Sequence, residues 1–436
     1  MTSLASRGVN ASSRGGASRP RLQWGSEVDA HRRPAGLHRR VRARPLRASS
    51  DDDAPPRTLD VDERRAALVA RANALRAKAI KVNLAALGVP SSQFFEKSEL
   101  VDAIVDVWSS RLAASVTVPL RQIIGMPGNP RAGYVVVTLD VGSAGFVDFL
   151  IDSGATAALI SPALREMLGQ SATDGAAIRG LGSMGETVRQ KVTIHGASVG
   201  NKSLGDLDAV VTDLSAAGLP PVVGGLLGLD FLNKFQTEFD FGEKTLRFHP
   251  PGTIECGALD VSDLVEIPLT THPTGLKTVR CRLNRCEPFP AIVDMGSFLS
   301  VANWMAAAKA GVSPDSPEVN RSAMSAVGID GRQMPMATAP FDLEVMGVEG
   351  RGEKDGGGAE SSLTSLYRGQ CCVGDLPAFA SLGAETSPFA SMGLDVIGRG
   401  RTVFVPAGGK MWLTPGGGTR GRVPGGGGPV ATEVYF

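Results

Sequence analysis

Cysteine is scarce in this chain, and its pattern excludes more than it offers. The five cysteines, Cys256, Cys281, Cys286, Cys371 and Cys372, all lie in the C-terminal half. An odd number with no Cys-x-x-Cys pair argues against a disulfide framework or a zinc knuckle, and for plain reduced thiols. A redox switch through Cys281 and Cys286 has nothing else in the sequence to support it. Long apolar runs are missing too: none approaches the ~18 residues of a membrane span, so a soluble protein without a span is expected. Aromatics make up only 5% of 436 residues, so the cores must be mostly aliphatic, and 42% hydrophobic residues suffice for that. The formal net charge of +1 gives no case for a polyanionic partner of the whole chain. What is abundant is glycine (54) and proline (28), which point to a turn-rich, mainly β protein with flexible segments.

The charge is unevenly placed. Residues 1–50 carry eleven Arg, no Lys and only two acids, Glu27 and Asp29. No apolar stretch of the kind a secretory signal needs is present there. Arg-rich, Ser-rich and acid-poor is the composition of an organelle transit peptide, and Val41-Arg42-Ala43 resembles a plastid cleavage site. Chloroplast is the expected destination, with mitochondrion the alternative; a disordered basic arm is the plainer reading.

Residues 51–58 read as a linker. From 59 to 112 the pattern is helical: Glu63 to Lys81 is rich in helix formers, Gly88-Val89-Pro90 breaks the chain, and Lys97 starts a second helix. Leu100, Val101, Ile104, Val105 and Trp108 fall at helical spacing and are its expected buried face. Residues 87–101 resemble SAP-like helix-turn-helix modules, which bind nucleic acid or protein. Residues 59–112 hold eight basic and seven acidic side chains, so a nucleic-acid partner is a weak expectation and a solvated or docking face the stronger one.

Beyond 113 the strand pattern takes over and repeats. In the first stretch, 113–250, Phe149-Leu150-Ile151-Asp152-Ser153-Gly154 ends an apolar run in an Asp followed, after one residue, by Gly. In the second, 260–416, Ala291-Ile292-Val293-Asp294-Met295-Gly296 does the same. Such an Asp is fixed by its strand and exposed by a glycine turn. Two held face to face cannot both ionise cheaply and would share one proton, one acid and one base. Each Asp is followed by a helical piece (162–168 and 301–309) and, further on, by an apolar-apolar-Gly segment, Leu226-Leu227-Gly228 and Val396-Ile397-Gly398. Gly347 to Gly369 reads as a surface loop, and 417–436 as a disordered Gly-rich tail.

Leu150-Ile151-Asp152-Ser153-Gly154-Ala155-Thr156 resembles the active-site motif of retropepsin-like aspartic proteases, and Gly224 to Leu232 resembles that family's second signature. The resemblance implies a mainly β, bilobal acid-protease fold with both halves in one chain, as in pepsins, behind the small N-terminal α-helical module. It further implies an aspartic-type endopeptidase acting on a peptide or protein substrate, with no cofactor and no metal. Asp152 and Asp294 would be catalytic. Ser153, Gly154, Thr156, Gly296, Ser297, Gly228 and Gly398 would support their loops, and Gly182, Ser183, Met184 and Gly185 would form a flap. Residues 180–185 also fit Gly-x-Gly-x-x-Gly, a phosphate cradle only where a helix follows. The family has Thr or Ser after each Asp, and Met295 departs from it. That departure favours, as the alternative, a weakened pseudoprotease that binds peptide without cutting. Arg399 and Arg401, placed where lobe one has Leu229 and Phe231, are expected near the cleft base.

Overall fold

Helix formers dominate residues 61–114, and three helices form there: α1 (Val61–Ala74), α2 (Ala77–Ala85) and α3 (Lys97–Ala114). The structure, a computed structural model, describes residues 61–123, 133–182, 185–200, 202–215, 219, 222–327, 333–347, 363–416 and 433–435. The expected transit peptide (1–50) and linker (51–58) lie outside them. So do Ser183, Met184, residues 348–362 of the expected loop and 417–432 of the expected tail. Among the described residues no helix is long and apolar enough to cross a membrane.

The single helix expected over 63–81 is broken. Arg76 is extended (φ −71°, ψ 146°), separating α1 from α2. On one straight helix Ala72 and Ile80 would lie about 80° apart; the break turns both into one buried cluster with Leu84, Ile104 and Trp108. Helix α3 behaves as its spacing dictates, burying Leu100, Val101, Ile104, Val105 and Trp108. Its start is tied by the Glu99 carboxylate, which accepts the amides of Phe95 (2.7 Å) and Glu96 (3.2 Å).

These helices pack onto the segment that joins the two β lobes. Trp108 Nε1 donates to Cys256 O at 2.6 Å, and Arg71 donates to Ala258 O at 3.1 Å with its guanidinium 4.2 Å from the Trp108 ring centre. Arg111 donates to Pro251 O at 2.9 Å. Arg71 and Arg111, two of the eight basic side chains of 59–112, are thus engaged by the chain's own carbonyls.

The β-rich remainder is two similar lobes on a shared floor. In the first, Tyr134–Asp140 and Phe146–Ile151 form an antiparallel hairpin, and Val223–Leu227 runs parallel to the second strand. In the second, Lys277–Leu283 and Phe289–Val293 form the hairpin and Ala390–Met392 is the parallel strand. Each parallel strand also pairs, antiparallel, with a short strand leaving the Asp loop, Leu159–Ile160 or Val301–Ala302. It therefore threads between the strands that enter and leave that loop. Ser161 and Asn303 cap the following helices, Pro162–Leu168 and Trp304–Lys309, by accepting the amides of Leu164 and Ala306. Glu433–Tyr435, inside the expected tail, pairs in parallel with Ser325–Val327.

The floor is a six-stranded sheet ordered Val116–Pro119, Thr245–His249, Gln236–Asp240, Arg401–Val405, Lys410–Leu413, Val265–Pro268. Its central seam, Gln236–Asp240 against Arg401–Val405, joins one lobe to the other. Glu238 is buried at that seam. Arg401 Nε donates to it at 2.6 Å, His249 Nε2 lies 2.9 Å away and Arg247 3.2 Å. Burial alone would push the Glu238 carboxyl up, but His249, Arg247 and Arg401 outweigh it and hold it at about 2.

Candidate active site between the lobes

Asp152 and Asp294 sit one residue beyond the ends of matching strands. The backbone of each is pinned to the parallel strand: Asp152 N donates to Leu227 O and Asp294 N to Met392 O, both at 3.0 Å. The glycine two residues on turns its amide back to its own carboxylate, Gly154 N to Asp152 Oδ1 at 2.8 Å and Gly296 N to Asp294 Oδ1 at 3.0 Å.

The two loops then face each other so closely that each glycine must be a glycine. A methyl on Gly154 would lie 2.6 Å from Asp294 Oδ1, and one on Gly296 would lie 2.4 Å from Asp152 Oδ1. The Gly154 position is also 3.1 Å from Asp152 Oδ1, so one small group between the loops meets both carboxylates. Burial pushes the Asp152 carboxyl far above the usual range, and the Asp294 charge pushes it further. Burial raises Asp294 as well, and the Ser391 hydroxyl and the amides of Gly296 and Ser297 pull it partly back. With Asp294 buried and Asp152 half-buried, the pair holds one proton more readily than none.

Among the described residues a hydroxyl crosses between the two Asp loops only from the first lobe. Ser153 Oγ donates to Val293 O at 2.7 Å and accepts the Met295 amide at 2.9 Å. Met295 is buried in the apolar core and offers no hydroxyl in return. Phe298 supplies a different tie: it lies among lobe-one residues, with its ring centre 5.3 Å from that of Tyr134 in an edge-on contact.

Other expected residues divide. Gly228 lies where a Cβ would meet Ala157 C and O at 2.6 Å, so the chain passes directly under the Asp152 loop where the strand Val223–Leu227 gives way to the short helix Leu229–Leu232. The equivalent in lobe two is Gly393, where a Cβ would meet Leu299 C and O at 2.7 Å. Gly398, expected in that role, instead caps the short helix Leu394–Ile397. The expected register was five residues late, and Leu394-Asp395-Val396 occupies the place assigned to Arg399-Gly400-Arg401. Arg401 points to Glu238 and Asp263 on the floor rather than to the cleft. The Ser297 hydroxyl turns to Leu299 O (2.8 Å) and not to the Asp294 carboxylate. Thr156 is exposed, with its methyl group near Gly275.

Two features of the site were not anticipated from the sequence. Ser391 Oγ donates to Asp294 Oδ2 at 3.1 Å from the parallel strand itself. Asp230 and Asp395, in the paired Gly-Leu-Asp-apolar-apolar segments 228–232 and 393–397, brace the loops from below. Asp230 Oδ2 accepts the Ala158 amide at 3.0 Å; Asp395 Oδ1 accepts Ser300 Oγ at 2.7 Å, and that hydroxyl accepts the Gly393 amide at 2.9 Å.

The expected flap lies on the hairpin Ala172–Gly182 and Gly185–Val199, where Gly182 pairs with Gly185; Ser183 and Met184 at its tip are outside the described residues. Gly185 opens a strand and not a helix, so no phosphate cradle forms there. A second flap is expected from the sequence at 327–332, of which 328–332 also lie outside the described residues.

Residues 137–231 match the sequence model of a family described as aspartyl protease. That match covers the segment bearing Asp152 and supports a protease-type function. No curated protein matches the sequence. Among solved structures, basic 7S globulin from soybean is similar at 11% identity and TM-score 0.39, over 69% of this chain and 94% of the globulin. A retropepsin-like aspartic protease from Rickettsia conorii is similar at 16% identity and TM-score 0.23, over 31% of this chain and 92% of that protease.

Proposed function

We propose that this chain is an aspartic endopeptidase, hydrolysing peptide bonds with a water held between Asp152 and Asp294. The observation that carries the reading is the mutual approach of the two loops, each carboxylate lying against the other's glycine. The ionised member of the pair takes a proton from the water as its oxygen bonds to the scissile carbonyl carbon. The protonated member gives its proton to the carbonyl oxygen, forming a neutral gem-diol. In the second step one diol hydroxyl returns a proton to the pair and the amide nitrogen receives one from it. The C–N bond then breaks, and the pair is left with its single proton. No covalent bond to the enzyme is made. The hairpin 172–199 is the proposed flap over the bound peptide, excluding bulk water from the charged transition state.

Met295 supports a second reading, a cleft that binds peptide without cutting. The two part on one experiment: the full chain incubated with a mixed peptide library from about pH 3.5 to about 8, beside its Asp152→Asn variant. Cleavage abolished by the substitution is the expected result. A folded chain that binds library peptides and cuts none establishes the pseudoprotease. The composition of residues 1–50 supports delivery to a plastid, which a fluorescent fusion of that segment tests.

A further inference from the structure

The hydrogen-bond donors to the two carboxylates are almost alike, and the exception among them is one side chain. Asp152 is served by the amides of Gly154 and Ala155, and Asp294 by those of Gly296 and Ser297, at matching positions. The parallel strands match as well: Leu226 lies opposite Leu150 as Ser391 lies opposite Ile292. So where lobe one presents a buried leucine, lobe two presents a hydroxyl to Asp294 Oδ2 at 3.1 Å. Ser391 is itself only 1% exposed, so water does not compete for that bond. Among the described residues the titratable group facing Asp294 is Asp152, and the groups facing it from its own loop and the threaded strand are neutral donors.

A donor with a single carboxylate partner stabilises the anion more than the acid. We infer that Ser391 places the shared proton on Asp152, so that Asp294 is the base receiving the proton of the attacking water and Asp152 the acid serving the carbonyl oxygen. Ser391 is a positioning residue in this assignment, which rests on the endopeptidase reading of the pair. The direction of titration agrees, since the charge of Asp294 raises Asp152 while the Ser391 hydroxyl lowers Asp294.

The test is carboxyl-carbon NMR titration of the full chain labelled with ¹³C-aspartate, each of the two signals assigned by its loss in Asp152→Asn or Asp294→Asn. The lower-titrating signal is expected to be that of Asp294. Ser391→Ala should raise its midpoint by about one pH unit, move the acidic limb of kcat by the same amount, and Ser391→Thr should restore both. An unmoved midpoint in Ser391→Ala, or a lower-titrating signal that belongs to Asp152, overturns the assignment. The titration needs no turnover. A chain that cuts nothing sinks the endopeptidase reading, while the same shifts still decide where the proton sits.

Discussion

Ser153 and Met295 are joined by a single hydroxyl. Ser153 Oγ accepts the Met295 amide at 2.9 Å while donating to Val293 O at 2.7 Å, so one lobe-one side chain satisfies two backbone groups of the opposite loop. With Met295 returning nothing, this tie is not duplicated by symmetry. Ser153→Ala strands a buried amide and a buried carbonyl, and should cost about 1–3 kcal/mol of stability along with most of the activity. Ser153→Thr keeps the hydroxyl and should retain both. Urea unfolding beside kcat checks this; an alanine variant as stable and active as wild type would show that Phe298 and Tyr134 suffice to hold the loops.

The pH profile should sit higher than for a pair of ordinary carboxylates. Catalysis needs one proton on the pair: below the lower titration no base is left, and above the upper one no acid. Burial raises both groups, so the active window moves from the usual carboxylate range near ~4 towards neutral. Measured kcat should climb through weakly acidic pH; a maximum near pH ~3 that is gone by pH ~5 would contradict it.

Asp395 should weaken the fold as pH rises. Its carboxyl is raised to about 6, chiefly by burial, and Oδ2 has no hydrogen-bond partner. A folded-state value above the unfolded one means that the native state binds the proton more tightly. Stability is then full below the unfolded value near ~4 and falls as pH passes through about 6. Asp395→Asn keeps an oxygen for Ser300 without the charge, so it should be about 1–2 kcal/mol more stable than wild type at pH ~8 and no better at pH ~4. Melting temperatures at the two pH values decide it, and a pH-independent difference would be evidence against a buried charge.

Glu238 has the opposite sign. Held at about 2, it contributes stability above the unfolded carboxyl value, and that contribution is lost as pH falls towards about 2. Glu238→Gln leaves Arg401 and Arg247 facing a neutral amide at the seam between the lobes, and should cost about 3 kcal/mol near neutral pH. The gap to wild type should narrow in acid. Chemical denaturation at two pH values measures it; an equal loss at both would assign the effect to packing alone.

Much of this was legible in the residues. The two strand-Asp-x-Gly segments, the apolar strand read at 225–228 and the buried face of α3 are each readable from alternation, spacing and glycine placement, whereas the threading of that strand through the Asp loop is implied only by the family resemblance. The lobe-two threaded strand was not legible, because its pattern is interrupted where it matters most. Ser391 is polar at a position that lobe one fills with Leu226, so an apolar-apolar-Gly search passes over Ser391-Met392-Gly393 and stops at Val396-Ile397-Gly398. The surer signal was the shared Gly-Leu-Asp-apolar-apolar run at 228–232 and 393–397. The break at Arg76 had no local signature at all: it arises from packing Ala72 and Ile80 into one cluster, a tertiary demand that overrides good helix formers.

The central claim, one site made from both lobes of one chain, is tested most directly by Asp294→Asn. Peptide cleavage should be assayed for it, for Asp152→Asn and for an equimolar mixture of the two. The account predicts that each variant falls at least ~100-fold below wild type and that mixing restores nothing. Full activity in Asp294→Asn would contradict it, placing the site between two copies of lobe one.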